Sequence, residues 1–151
     1  MYKRQGTHLG QSLWLREVHG REDGPPPPVD LAAERAHGEA VRALVQDGKV
    51  TAVHDVSDGG ILVALAEMAL AGGIGAELAP FDTAAAAFGE DQGRYLVTAP
   101  RGTEIAGARM IGVVGGSAVA DVEIAHLREA NEAFFRNWME GELDPSDLSG
   151  N

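Results

Sequence analysis

Apolar residues recur at three- and four-residue intervals over residues 31–46, where Val41, Leu44 and Val45 share a face and Arg35 and Arg42 stand on others. That rhythm predicts an amphipathic helix, with Asp30 as its N-cap and Gly48 where the chain leaves it. The same spacing of Ile124, Leu127, Ala130, Phe134 and Trp138 predicts a second amphipathic helix over residues 124–139. Residues 61–71 are apolar nearly all round apart from Glu67 and end at Gly72-Gly73, which predicts a buried helix. A shorter helix is expected over residues 10–19, stopped by Gly20, and Asp82 stands where it would cap an alanine-rich turn of helix through Ala87.

Strands are expected at residues 49–54, 74–78, 94–99, 110–114 and, more weakly, 119–122, short runs rich in β-branched residues and bounded by glycine. Gly115-Gly116-Ser117 reads as a turn between strands. Pro25 to Pro28 fix φ and withdraw four backbone donors, so this stretch is an extended, stiff spacer between elements. Alternating helices and strands give an α/β (α+β) class, a mixed β-sheet packed with helices. One domain is expected over residues 6–140, with residues 1–5 as a truncation scar and 141–151 as a polar, disordered tail.

Charge narrows the function. Twelve Lys and Arg against 23 Asp and Glu give a formal charge of −11. Tracking a phosphate backbone or an anionic membrane surface needs clustered positive charge, so no nucleic acid and no membrane is the expectation. The chain has no cysteine, which removes thiolate metal sites and thiol nucleophiles and gives no sign of a disulfide-rich secreted domain; a cytoplasmic location fits. Aromatics make up only 5% of the chain, so the core should be lean.

Chemistry concentrates in two stretches. His54-Asp55-Val56-Ser57-Asp58-Gly59-Gly60 lies where a strand hands over to a buried helix, and the start of a helix offers free N–H groups and partial positive charge to a phosphate. Asp55 is the better Mg²⁺ ligand there and Ser57 the better phosphate contact, with Gly59 and Gly60 letting a ligand approach the backbone. The plainer alternative is that Ser57 or Asp58 merely caps the helix. The stretch is neither a Walker A loop nor GxGxxG, and an EF-hand begun at Asp55 would place Ala66 where a glutamate belongs. His54 and Asp55 point to opposite faces of a strand, which breaks any Ser-His-Asp relay; His54 reads as packed or hydrogen-bonded. The second stretch, Gly89-Glu90-Asp91-Gln92-Gly93-Arg94, places Glu90, Gln92 and Arg94 at alternate positions, able to face one way if extended. Its plainer alternative is a solvated turn.

Four segments occur together in a specific order: THLGQS at 7–12, VHDVSDGG at 53–60, ALAEMA at 64–69 and FGEDQGR at 88–94. Over residues 6–139 the chain thereby resembles the carboxy-terminal domain of the second half of the phosphoribosylformylglycinamidine synthase family, within the AIR synthase-related superfamily. The resemblance implies an amino-terminal domain paired with this one around an ATP site. It implies purine biosynthesis through ATP, Mg²⁺ and ammonia, which convert a formylglycinamide ribonucleotide amide to an amidine. Its partners would be the amino-terminal synthetase domains, a glutamine amidotransferase subunit and a small accessory subunit. By similarity Asp55 would bind Mg²⁺ and Ser57, Gly59 and Gly60 an auxiliary nucleotide, while Glu90, Gln92 and Arg94 would make a substrate or interdomain contact. No catalytic residue is expected in this chain, and the isolated chain is expected to be inactive. Residues 100–109 are shorter than the family's helix-bearing segment, so one sheet face is expected to be bare. Two other readings stay open: a noncatalytic assembly domain without a nucleotide site, and another enzyme of the superfamily such as one similar to selenophosphate synthetase.

Overall fold

The computed structural model describes residues 6–141. The expected truncation scar, 1–5, and residues 142–151 of the expected tail lie outside the described residues, whereas Gly141 is the left-handed C-cap of the last helix. In chain order the elements are α1 (Leu13–His19), α2 (Leu31–Gln46), β1 (Ala52–Val56), α3 (Gly60–Gly72), β2 (Ala76–Leu78) and α4 (Ala84–Phe88). They continue with β3 (Arg94–Thr98), β4 (Gly112–Val114), β5 (Ala118–Val119), β6 (Val122–Glu123) and α5 (Ile124–Glu140). The α+β class holds, but the strands divide into two small sheets. One is the antiparallel pair β1-β3; the other is mixed, in the order β4-β2-β5-β6, with β2 antiparallel to β4 and parallel to β5.

Caps set the helix ends. The Ser12 side chain accepts the Leu15 N–H and Asp30 accepts that of Ala33, while Gly20 and Gly73 take left-handed conformations after α1 and α3. Thr83, not the expected Asp82, caps α4: it is extended immediately before the helix, and its hydroxyl accepts the Ala86 N–H at 3.1 Å. Strand β1 runs later than expected, through Asp55 and Val56, because Tyr95 and Arg94 supply partners for both. The weak strand over residues 119–122 is instead a hairpin, β5 and β6, turning through Ala120 and Asp121 at φ 49° and 66°. Two consecutive left-handed residues match the twist of the flanking strands.

Val56, Ile61, Ala64 and Leu96 form the buried core, with Leu65, Met68, Phe81 and Ile111 packed around them. Helix α3 is the hub, touching α4, α5, β1, β3 and β5. It is less enclosed than its composition predicts: the two small sheets do not wrap it, and Val63 remains 38% exposed. Helix α5 buries no residue and leaves Phe134, Phe135 and Trp138 exposed. The short link after β3 holds turns and no helix, and β4, an edge strand just beyond it, exposes Val113 and Val114, neighbours on opposite faces of the strand.

Ile61 is 1% exposed at the centre of this core, so Ile61→Ala should destabilise the chain by about 2–5 kcal/mol, read as a lower urea midpoint. Gly60 and Gly73 both have left-handed φ, at 71° and 64°, but a Cβ on Gly60 would meet the Phe88 carbonyl carbon at 2.6 Å whereas Gly73 faces open space. Gly73→Ala should cost only the left-handed conformation, about 1–2 kcal/mol. Gly60→Ala should cost clearly more in the same unfolding measurement.

Candidate functional site

Antiparallel register pairs Val56 at the end of β1 with Arg94 at the start of β3, so two stretches more than thirty residues apart in sequence become neighbours. A groove of about 340 Å³ opens where they meet. Asp55, Ser57 and Asp58 line it from one side, all three exposed, and the turn from Glu90 to Tyr95 continues the lining. Asp55 and Tyr95 are register partners and so share a sheet face.

The facing wall comes from segments the sequence reading left outside the site. Pro26 and Pro27 of the proline run line the groove, as do Gln11 and Glu34. Gln11, at φ 58°, holds that run in place: its side-chain amide donates to the carbonyls of Glu22 and Gly24 at 3.3 and 3.0 Å, and its N–H to that of Asp23 at 3.2 Å. The spacer is thus also a wall. Helix α2 is tied to the same turn by a 2.7 Å hydrogen bond between His37 Nδ1 and the Gly93 carbonyl. The alternation Arg94-Tyr95 within a strand was the signal that could have added Tyr95, because successive side chains take opposite faces; no local pattern announces Gln11 or the prolines.

The expected trio of Glu90, Gln92 and Arg94 does not face one way. Oε1 of Glu90 accepts the N–H groups of Leu13 and Gly59, each at 2.8 Å. Arg94 is 3% exposed and turns inward, its Nε donating to the Asp91 carbonyl at 2.7 Å and its Nη2 to that of Gly89. Gln92 is exposed at the groove. Asp91 accepts the Thr7 N–H at 3.1 Å and the Thr7 hydroxyl at 2.9 Å, which ties the first motif to the last.

The capping alternative for Ser57 and Asp58 fails in its local form. Helix α3 begins at Gly59 without a side-chain cap of its own, Gly59 N–H goes to Glu90, and the Gly60 N–H goes to the Ser57 carbonyl at 3.1 Å. Both glycines are buried and serve internal packing. A Cβ on Gly59 would lie 2.4 Å from Val63, and one on Gly60 would strike the backbone of Phe88. His54 is hydrogen-bonded, as expected: Nδ1 lies 2.5 Å from the Asp55 carbonyl and Nε2 lies 3.3 Å from Glu67.

The groove is acidic. Glu34, Asp55, Asp58 and Glu90 line it with one guanidinium, which is turned into the protein. A bare polyphosphate would meet like charge, and a divalent cation carried with it would offset part of that repulsion. Among the described residues no group of three or more His, Asp or Glu stands ready to hold a metal. The donors present fit an ion held by one or two carboxylates and completed by phosphate oxygens and water, which is how Mg²⁺ commonly binds. Among the described residues no helix is long and apolar enough to cross a membrane.

Comparison with known proteins agrees with this architecture. Residues 5–132 match the family described as AIR synthase related protein, C-terminal domain. The chain is 65% identical over 137 residues to phosphoribosylformylglycinamidine synthase subunit PurL of Novosphingobium aromaticivorans, covering 91% of this chain and 19% of that protein. It is 53% identical to the protein of the same name from Erythrobacter litoralis, covering 89% of this chain and 20% of the relative. The chain therefore spans about one fifth of the length of these curated relatives. A solved structure, T. maritima PurL complexed with FGAR, shares the fold with a TM-score of 0.51 at 21% identity, over 66% of this chain and 21% of that one. With motif order, fold and family match in agreement, the chain belongs to the AIR synthase-related family, as its C-terminal domain.

Proposed function

We propose that this chain is the carboxy-terminal part of an ATP-dependent phosphoribosylformylglycinamidine synthase, a carbon–nitrogen ligase of purine biosynthesis, and that its groove receives a Mg²⁺-bound nucleotide. The observation that carries the reading is the exposure of Asp55 and Ser57 side by side at the groove, on a chain whose relatives bear that enzyme name. Asp55 would hold the ion, Ser57 would donate to a phosphate oxygen, and the Gly59-Gly60 turn would shape the approach. Bound Mg²⁺ would neutralise phosphate charge beside these carboxylates. Positive groups for the rest of the polyphosphate would come from a paired amino-terminal synthetase domain, because the groove's own guanidinium points inward. A glutamine amidotransferase subunit and a small accessory subunit complete the proposed assembly, in the cytoplasm, and the chain alone would not catalyse the reaction. Glu90, Gln92 and Arg94 enter this reading unequally, with Gln92 the one exposed to a substrate or neighbouring domain.

A second reading rests on a different observation. Helix α5 buries none of its residues and exposes three aromatic rings, which favours a role in assembly; the second reading is an assembly domain that has no nucleotide of its own. Sedimentation separates the two: association that rises with concentration and ignores nucleotide belongs to the second.

Calorimetric titration of ADP with Mg²⁺ into this chain, and into its complex with an amino-terminal synthetase domain, tests the first. Binding should require the ion. Asp55→Asn should weaken it by about tenfold or more and Ser57→Ala by a similar factor, the usual effect of losing a hydrogen bond to a charged group. No binding in either setting would refute the nucleotide reading.

A further inference from the structure

We infer that Glu90 is a positioning residue for the groove and not a contact to the ligand, an inference that rests on the nucleotide reading of that groove. One oxygen of this side chain accepts the N–H of Leu13, the first residue of α1, and that of Gly59, the N-cap of α3, both at 2.8 Å. A carboxylate at two helix starts satisfies donors that have no partner within their helices and complements the positive end of each dipole. Helix α3 has no side-chain cap of its own. Glu90 supplies that function from a distant turn, which leaves Ser57 and Asp58 free to face the groove.

The turn that carries Glu90 is itself fixed on both sides. Asp91 grips Thr7 through both its oxygens, and the buried Arg94 donates to the Asp91 and Gly89 carbonyls. Gly60 lies so close to Phe88 that a Cβ would not fit, so turn and helix have no slack between them. The carboxylate also sits where a phosphate would otherwise settle on the start of α3. A bound polyphosphate is thereby directed toward Ser57 and Asp55, and the position of those two residues depends on Glu90 staying seated.

Two measurements on wild type, Glu90→Ala and Glu90→Gln test this: hydrogen exchange of the Leu13 and Gly59 amides by NMR without ligand, and calorimetric titration with Mg²⁺-ADP. Glu90→Ala should speed exchange of both amides and weaken Mg²⁺-ADP binding, each by about tenfold or more. Glu90→Gln, whose amide oxygen still accepts, should keep protection within about threefold of wild type and recover most of the affinity. Unchanged exchange at both amides in Glu90→Ala would overturn the inference. So would equal loss of affinity in both variants with the amides still protected in Glu90→Gln, because the charge itself would then be meeting the ligand. If Glu90→Ala does not fold, Glu90→Gln decides alone: protected amides with near-normal affinity support positioning, and protected amides with lost affinity refute it. Absence of Mg²⁺-ADP binding by the wild type would remove the nucleotide reading, while exchange in the unliganded variants would still decide whether Glu90 holds the turn.

Discussion

One oxygen of Glu90 holds the starts of α1 and α3 at a common point, and the arrangement of the groove follows from that junction. Three segments far apart in sequence converge there: the loop before α1, the end of β1 with the start of α3, and the turn before β3. Hydrogen bonds to a charged acceptor contribute about 1.5–3 kcal/mol each where water is partly excluded. Here the one at Gly59 stands in for the local cap that α3 lacks, and the one at Leu13 adds to the Ser12 cap of α1. A helix that carried its own Ser or Asp cap would direct that side chain at its own N–H groups. Capping from a distance releases Ser57 and Asp58 to face outward, so the structural contact and the exposed polar edge are two consequences of one substitution of roles.

Glycine makes that junction tight. Gly59 and Gly60 both take left-handed φ, at 75° and 71°, and both lie against neighbours that a side chain would displace. Gly59 lies against Val63, and Gly60 lets the Phe88–Gly89 backbone pass close over the start of α3. Register contributes equally. Pairing Val56 with Arg94 places the outgoing end of one strand beside the incoming end of the other, which is why two motifs separated by a whole helix–strand–helix unit share one groove.

Much of this was legible in the chain. Helices α2, α3 and α5, the Asp30 cap, the Gly20 stop and strand β3 all follow from local periodicity and cap chemistry, where one residue decides and its neighbours agree. The errors are of two kinds, a pairing with a distant segment that overrides a local signal and a local margin of a residue or two. The end of β1 was set by Tyr95 and Arg94 across the ladder. The Ala120-Asp121 turn lacks the glycine that usually marks a two-residue hairpin, and it is held instead by pairing on both sides, Val119 with Val122 and Ala118 with Glu123. Thr83 prevailed over Asp82 by one position, a margin that propensity does not resolve. In the site, Asp55 and Ser57 stood at a strand end as the sequence implied. The roles of Glu90 and Arg94 and the proline wall were hidden, because their partners are backbone groups that no side-chain pattern marks: the Leu13 and Gly59 N–H groups for Glu90, the Gly89 and Asp91 carbonyls for Arg94, and the Glu22 and Gly24 carbonyls for Gln11.

Charge limits what the groove can receive. Among the described residues four carboxylates line it, and the one guanidinium among them donates to backbone carbonyls inside the turn, so these residues offer an anion no outward-facing positive group. Turning Arg94 outward would strip the Gly89 and Asp91 carbonyls of their donor and loosen the turn that seats Glu90, which makes that side chain a poor candidate for ligand contact. Under the proposed reading, positive charge reaches the groove in two forms only, as a cation carried in with the phosphates and as side chains of a neighbouring domain. Both would meet the same feature of this chain: an exposed carboxylate at Asp55 beside an exposed hydroxyl at Ser57, next to a turn whose Glu90 and Arg94 are hydrogen-bonded to backbone groups.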